Sequence, residues 1–294
     1  MWFEPLDEPT WLLPSPRADA PGVLFAAEPD PRDDGLTDAE RDLRLGLPLY
    51  LAEATGSLAN IRTAAGLAAR EVGNAADDER WVVSTAVAPE GASLVRVRIA
   101  DGASGELLST IERPAASEEE LGGVLSRLPD DVAQVLRDLG AAALWDGRFA
   151  PSSPALAPTL VRGHRWALRL GDPSTNVLAD EPDRRARQRE QTRALLRPLA
   201  SAASSTTSPS PALLFFGGLV SAIRADADVV QTFRIATNAR CMEATDERDP
   251  IFRISALVLR MIGDVAVARQ RARRLASTED AELRNWLDRL ESVP

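Results

Sequence analysis

Few side chains in this sequence could do chemistry, and each kind is scarce. His164, in Val161-Arg-Gly-His-Arg-Trp-Ala, is the only histidine, Cys241 the only cysteine and Tyr50 the only tyrosine. A histidine acting as general base needs an acid to orient it and a nucleophile to serve, and no neighbouring phrase supplies either. A structural histidine is the plainer reading. Cys241, next to Met242 at a predicted helix end, reads as a small buried hydrophobe rather than a reactive thiol. A single cysteine excludes an intrachain disulfide and a multi-cysteine zinc site. All 34 basic residues are arginine. Without lysine there is no P-loop lysine, no Schiff base with pyridoxal phosphate and no kinase-type lysine. Catalysis would have to rest on a carboxylate pair alone.

The acidic phrases add no metal site. Asp130-Asp131 and Ala179-Asp-Glu-Pro-Asp lack the alternating ligand spacing of a calcium loop, and negative charge at Asp130-Asp131 suits a helix start. No cofactor or metal is expected. Arginine is the remaining candidate for binding, in Arg184-Arg-Ala-Arg-Gln-Arg and in Arg269-Gln-Arg-Ala-Arg-Arg. Such clusters grip phosphates or acidic peptides through paired N–H donors. At helical spacing they also form ordinary solvated, salt-bridged faces, which is the plainer reading. A net charge of −10 does not suit a non-specific nucleic-acid binder.

These residues sit on two kinds of scaffold. Residues 81–113 read as a three-strand meander. In its middle run Val95, Val97 and Ile99 point one way and Arg96 and Arg98 the other, the latter sharing an open face with Glu112. Ser117 with Glu120 forms a capping box, after which Leu121, Val124, Leu125, Leu128, Val132, Val135, Leu136 and Leu139 keep helical spacing until Gly140. That helix, interrupted in backbone but not in phase by Pro129, is expected to roof the sheet. Upstream, Val23-Leu-Phe-Ala-Ala predicts a first strand, Thr37 and Glu40 cap a helix from Asp38 to Gly56, Leu58-Ala-Asn-Ile-Arg-Thr predicts a second strand, and 64–72 a short helix.

Beyond the Pro/Ser-rich stretch around 146–158 every periodic segment is helical: 159–170, 183–202, 211–224, 228–242, 250–262, 265–276 and 279–291. The organisation is a Pro-rich arm over 1–20, an α/β domain over 21–142, a linker over 143–158 and an all-α domain over 159–294. The fold class is thus α+β, a small mixed sheet packed by helices, followed by helical hairpins. No run of 18 apolar residues and no basic leader are present. No membrane association is expected, and the location expected is cytoplasmic.

The phrases Ala68-Ala-Arg-Glu-Val-Gly, Arg80-Trp-Val-Val-Ser, Leu94-Val-Arg-Val-Arg-Ile-Ala-Asp and Gly105-Glu-Leu-Leu-Ser resemble the TolB amino-terminal-like domain of bacterial multidomain proteins. Ser104 stands where Thr is usual, and Ser84-Thr85 where a Gly is common. In that family tetratricopeptide-like hairpins often follow, and residues 250–275 are similar to one. Asp249-Pro250 opens its first helix, Gly263-Asp264 turns it, and Ala268 and Leu275 fall on the second. Residues 211–242 are a weaker copy. The resemblance implies the sensing and docking portion of a signalling or regulatory assembly without its output domain.

The function expected is that of a non-catalytic interaction protein or scaffold whose hairpins bind a protein or peptide. Trp145, Trp166, Arg269, Arg271, Arg273 and Arg274 are the candidate anchors, because Trp and Arg dominate interface energetics. The alternative is a small-molecule sensing module that acts on a separately encoded enzyme.

Overall fold

The computed structural model describes residues 19–28, 36–66, 79–90, 92–143, 153–171, 182–225 and 227–276. Trp145, the expected helix over 279–291 and all but the last two residues of the Pro-rich arm lie outside this set. The chain divides into two compact units, one running up to Arg165 and the other from Trp166 onward.

The first unit is built around β1 (Gly22–Ala27), every residue of which is buried. A strand covered on both faces needs a continuous apolar run rather than an alternating one, which Val23-Leu-Phe-Ala-Ala provides. β1 pairs in parallel with β3 (Arg62–Gly66) on one side and β4 (Trp81–Glu90) on the other. β5 (Ala92–Asp101) and β6 (Leu107–Ala115) extend the sheet antiparallel, in the order β3-β1-β4-β5-β6. The meander is as the alternation predicts. Val95, Val97 and Ile99 have no exposed surface, while Arg98 is exposed.

Its second turn explains why the phrase from Asp101 to Glu106 has the composition it does. Asp101 Oδ1 accepts from the Ser104 backbone N–H at 2.8 Å and from Ser104 Oγ at 2.9 Å. Those bonds hold the Asp101 carboxyl below its usual range, the backbone bond of Ser104 contributing most. Gly105 then takes a φ of 70°, which favours glycine.

Two helices cover the inner face. α1 (Asp38–Gly56) has the full capping box of Thr37 and Glu40, and α2 (Glu118–Asp138) is capped by Ser117. Leu121, Leu125, Leu128, Val132 and Leu136 of α2 are buried over the meander, so the expected roof is present. Gly140, at φ 106°, ends the segment.

Two expectations need correction. The strand predicted over Leu58–Thr63 is two strands in different sheets: β2 (Ala59–Asn60) pairs antiparallel with β7 (Ala142–Ala143), and β3 begins at Arg62. The helix predicted from residue 64 is instead strand through Gly66, because Thr63, Ala64 and Ala65 pair with Val23, Leu24 and Phe25. Pairing with a buried central strand overrides the weak helical preference of two alanines.

Close approach of backbones fixes α3 (Ala157–Gly171) to the first unit through its N-terminal half. A Cβ on Gly46 of α1 would lie 1.9 Å from the Val161 carbonyl oxygen, and one on Gly122 of α2 would lie 2.2 Å from that of Pro154.

The second unit is helical throughout its described residues, and no strand occurs after Pro158 among them. It comprises α4 (Pro182–Ser205), α5 (Pro209–Ala225), α6 (Ala227–Thr232), α7 (Arg234–Glu243), α8 (Pro250–Met261) and α9 (Val265–Ala276). Every residue of α5 from Pro211 to Ala222 is buried, as expected of a helix that is apolar all round. α4, α6 and α8 pack against it. The single helix predicted over 228–242 is broken at Phe233, whose buried ring meets Phe215 edge-on at 5.8 Å. No helix among the described residues is long and apolar enough to cross a membrane.

Two substitutions test this construction by chemical denaturation. Gly46→Ala inserts a methyl group where a carbonyl already sits, and is expected to cost about 1–3 kcal/mol as α1 and α3 are forced apart. Ser117→Ala removes a cap without touching the core and is expected to cost about 1 kcal/mol.

Candidate functional site

The last three described helices form a connected layer. Asp249 caps α8, accepting from the Ile251 N–H at 2.8 Å, and Pro250 occupies the first turn, where its missing N–H costs nothing. Gly263, at φ 88°, makes the three-residue turn into α9. Ala268 and Leu275 are buried on α9, as the hairpin reading predicts.

Arginine side chains join α7 and α9 at two places. Arg234 at the start of α7 donates to Asp264 at the start of α9, at 2.6 Å. Arg271, midway along α9, donates to the carbonyls of Ala244 at 2.7 Å and Cys241 at 2.8 Å, which caps the end of α7.

The expected anchors on α9 therefore separate into two roles. Arg271 is 7% exposed and its guanidinium lies 4.1 Å from the centre of the Phe252 ring. Burial lowers its pKa. It is an internal strut. Arg269, Arg273 and Arg274 face outward and, with Ala266 and Gln270, line an open concavity of about 620 Å³. Arg274 stacks on Phe252 at 4.7 Å and donates to Glu247 at 3.0 Å, so its head is already partly neutralised. Arg269 and Arg273 make no ion pair among the described residues. Trp166 is half-buried on α3 and does not line this concavity, and Trp145 lies outside the described residues.

On α4, the last arginine of the other cluster and one further along the helix are paired. Arg189 pairs with Asp228 and Arg197 with Glu190, both at 2.9 Å. On the sheet, Arg96 and Arg98 converge on Glu28 at 3.0 and 3.5 Å. Glu28 directly follows β1, and only the sheet order brings it beside β5. No sequence signal marks it.

The two scarce reactive side chains are both engaged in structure. His164 is 2% exposed; Nδ1 lies 2.7 Å from the Leu160 carbonyl and Nε2 lies 2.9 Å from Glu53 Oε2. A carbonyl can only accept, so Nδ1 carries a proton. Nε2 and Glu53 then share one proton between them, as an ion pair or as a neutral pair. An acid does orient this histidine, 111 residues distant along the chain. With both nitrogens occupied, none is free to serve a substrate. The Tyr50 ring closes over His164 edge-on at 5.9 Å, and its hydroxyl donates to the Leu125 carbonyl at 3.3 Å. Cys241 is fully buried, and burial pushes its thiol up to about 12.

Removing one member of the buried pair strands the other. Glu53→Ala is expected to destabilise by about 3–5 kcal/mol, and Glu53→Leu with His164→Leu to recover most of that loss, as measured by urea unfolding. The Cys241 thiol is expected to ignore a thiol reagent at pH 8 in the folded chain and to react fully in denaturant. Compared with known proteins, the chain matches no protein-family model and no curated protein.

Proposed function

We propose that this chain is a non-catalytic protein-interaction protein, a TolB-amino-terminal-like α/β unit followed by tetratricopeptide-like hairpins, and that its final hairpin docks an acidic segment of a partner protein. The observation that carries this reading is the concavity on α9. Three guanidinium groups line it, and two of them have no counter-charge among the described residues. Guanidinium is weakly hydrated and presents paired donors to a carboxylate, so such a surface favours acidic side chains over water. The reading draws support from the structural partners of the two scarce reactive side chains: His164 joins α3 to α1, and Cys241 is buried with its backbone carbonyl accepting from Arg271. A TolB-like ancestry accords with the order strand, capped helix, strand, meander and roofing helix.

The test is a charge reversal. Arg269→Glu with Arg273→Glu touches two exposed side chains, and the change in folding stability is expected to stay within about 0.5 kcal/mol. Proteins retained by the unaltered chain from its own host, identified by mass spectrometry, are expected to be lost with the variant. Identical recoveries from both would refute docking through this face.

A further inference from the structure

We propose that Glu247 is a competitor built into the concavity on α9: its carboxylate takes, on Arg274, the place that an acidic group of the partner would otherwise take. This rests on the docking reading above and adds the residue that limits it. Glu247 lies in the loop between α7 and α8, Ala244 to Asp249, which carries three acids. Two of them serve the backbone. Asp246 accepts from the Arg248 N–H at 2.9 Å, and Asp249 caps α8. The Glu247 carboxylate has no such duty. Among the described residues its one partner is the Arg274 guanidinium, at 3.0 Å. That pair is open to solvent, the two side chains being 37% and 49% exposed.

The surrounding structure stands without that carboxylate. The loop is pinned through its backbone carbonyls, that of Ala244 by Arg271, that of Thr245 by Arg274 and that of Glu247 itself by Arg253. Arg274 is held by its stack on the buried Phe252 ring and by its bond to the Thr245 carbonyl at 3.4 Å. Its Nε–H is therefore in place whether or not Glu247 accepts from it. Arg274 lines the concavity together with Arg269 and Arg273, and Glu247 does not. An incoming acidic segment thus meets two guanidinium groups without a counter-charge among the described residues and a third already engaged. An exposed ion pair is weak, so a segment dense in carboxylates displaces Glu247 where a sparse one does not. Glu247 thereby sets the density of acid that the partner must bring. A rival duty for it is to offset the repulsion between Arg271 and Arg274, which lie against the same ring.

The experiment is fluorescence anisotropy of the full chain with a labelled oligoglutamate peptide at low salt, beside a melting curve for each variant. Glu247→Gln is expected to bind the peptide about three- to fivefold more tightly, the worth of one exposed ion pair, with its melting temperature unchanged. Asp246→Asn removes the same charge one residue away, keeps an acceptor for the Arg248 N–H and leaves the pair on Arg274 intact; it is expected to tighten binding by a clearly smaller factor. Equal gains from the two variants reveal a general effect of charge and overturn the assignment to Arg274. A lower melting temperature for Glu247→Gln with unchanged affinity gives Glu247 the rival duty and overturns the proposal. Binding that Arg269→Glu with Arg273→Glu abolishes, but that Glu247→Gln leaves alone, overturns the competitor and leaves acidic docking standing. No binding by the unaltered chain or by Glu247→Gln overturns both.

Discussion

The first unit depends on one buried contact between distant stretches of chain. Glu53 on α1 and His164 on α3 meet at 2.9 Å with both side chains inside the protein. Water cannot repay the desolvation of either, so each requires the other. The backbone around them is arranged for this approach. Gly46 lets the Val161 carbonyl come closer than any side chain would allow, and Tyr50 packs on the imidazole while its hydroxyl reaches α2. Three helices are thereby set relative to one another. The only histidine and the only tyrosine of the chain serve this junction.

The second unit solves a related problem with arginine. α7 ends in carbonyls with no helical partner, and Arg271 reaches across from α9 to satisfy two of them while lying flat on Phe252. An ammonium group could do neither as well, since it has no planar fork and no flat face to stack. Its outward neighbours on the same helix are left to face solvent. One arginine-rich phrase therefore supplies both the strut and the surface, and the difference between them is a matter of which side of a 3.6-residue period each occupies.

Much of this was legible in the residue pattern. The alternation in β5, the capping box at Thr37, the Ser117 cap and the long stripe of α2 are local signals that the fold obeys, because each concerns residues within one or two turns of each other; at Ser117 the expected box is only half formed, since the Glu120 carboxylate accepts from the Ala116 N–H instead. The Asp249-Pro250 and Gly263 punctuation was readable for the same reason. What was not legible depends on tertiary pairing. Alanines at 64 and 65 look helical until a buried strand claims their backbone groups, and the break at Phe233 exists because its ring is needed against Phe215. At the candidate site, the arginines of α9 were identifiable by type and spacing. The inward turn of Arg271 was not, since it is set by the free carbonyls of a helix some thirty residues earlier. Glu53 and Glu28 gave no sign at all, being ordinary acids until the fold puts His164 and Arg96 beside them.

The face proposed for docking on α9 carries its charge as guanidinium, without a single amine. Its positive charge persists across the whole physiological acidity range and offers no nitrogen to an acetyltransferase. If that face takes up carboxylates, acetylation cannot silence it, whereas a methyl group on Arg269 or Arg273 would leave the charge in place and still break the paired donors.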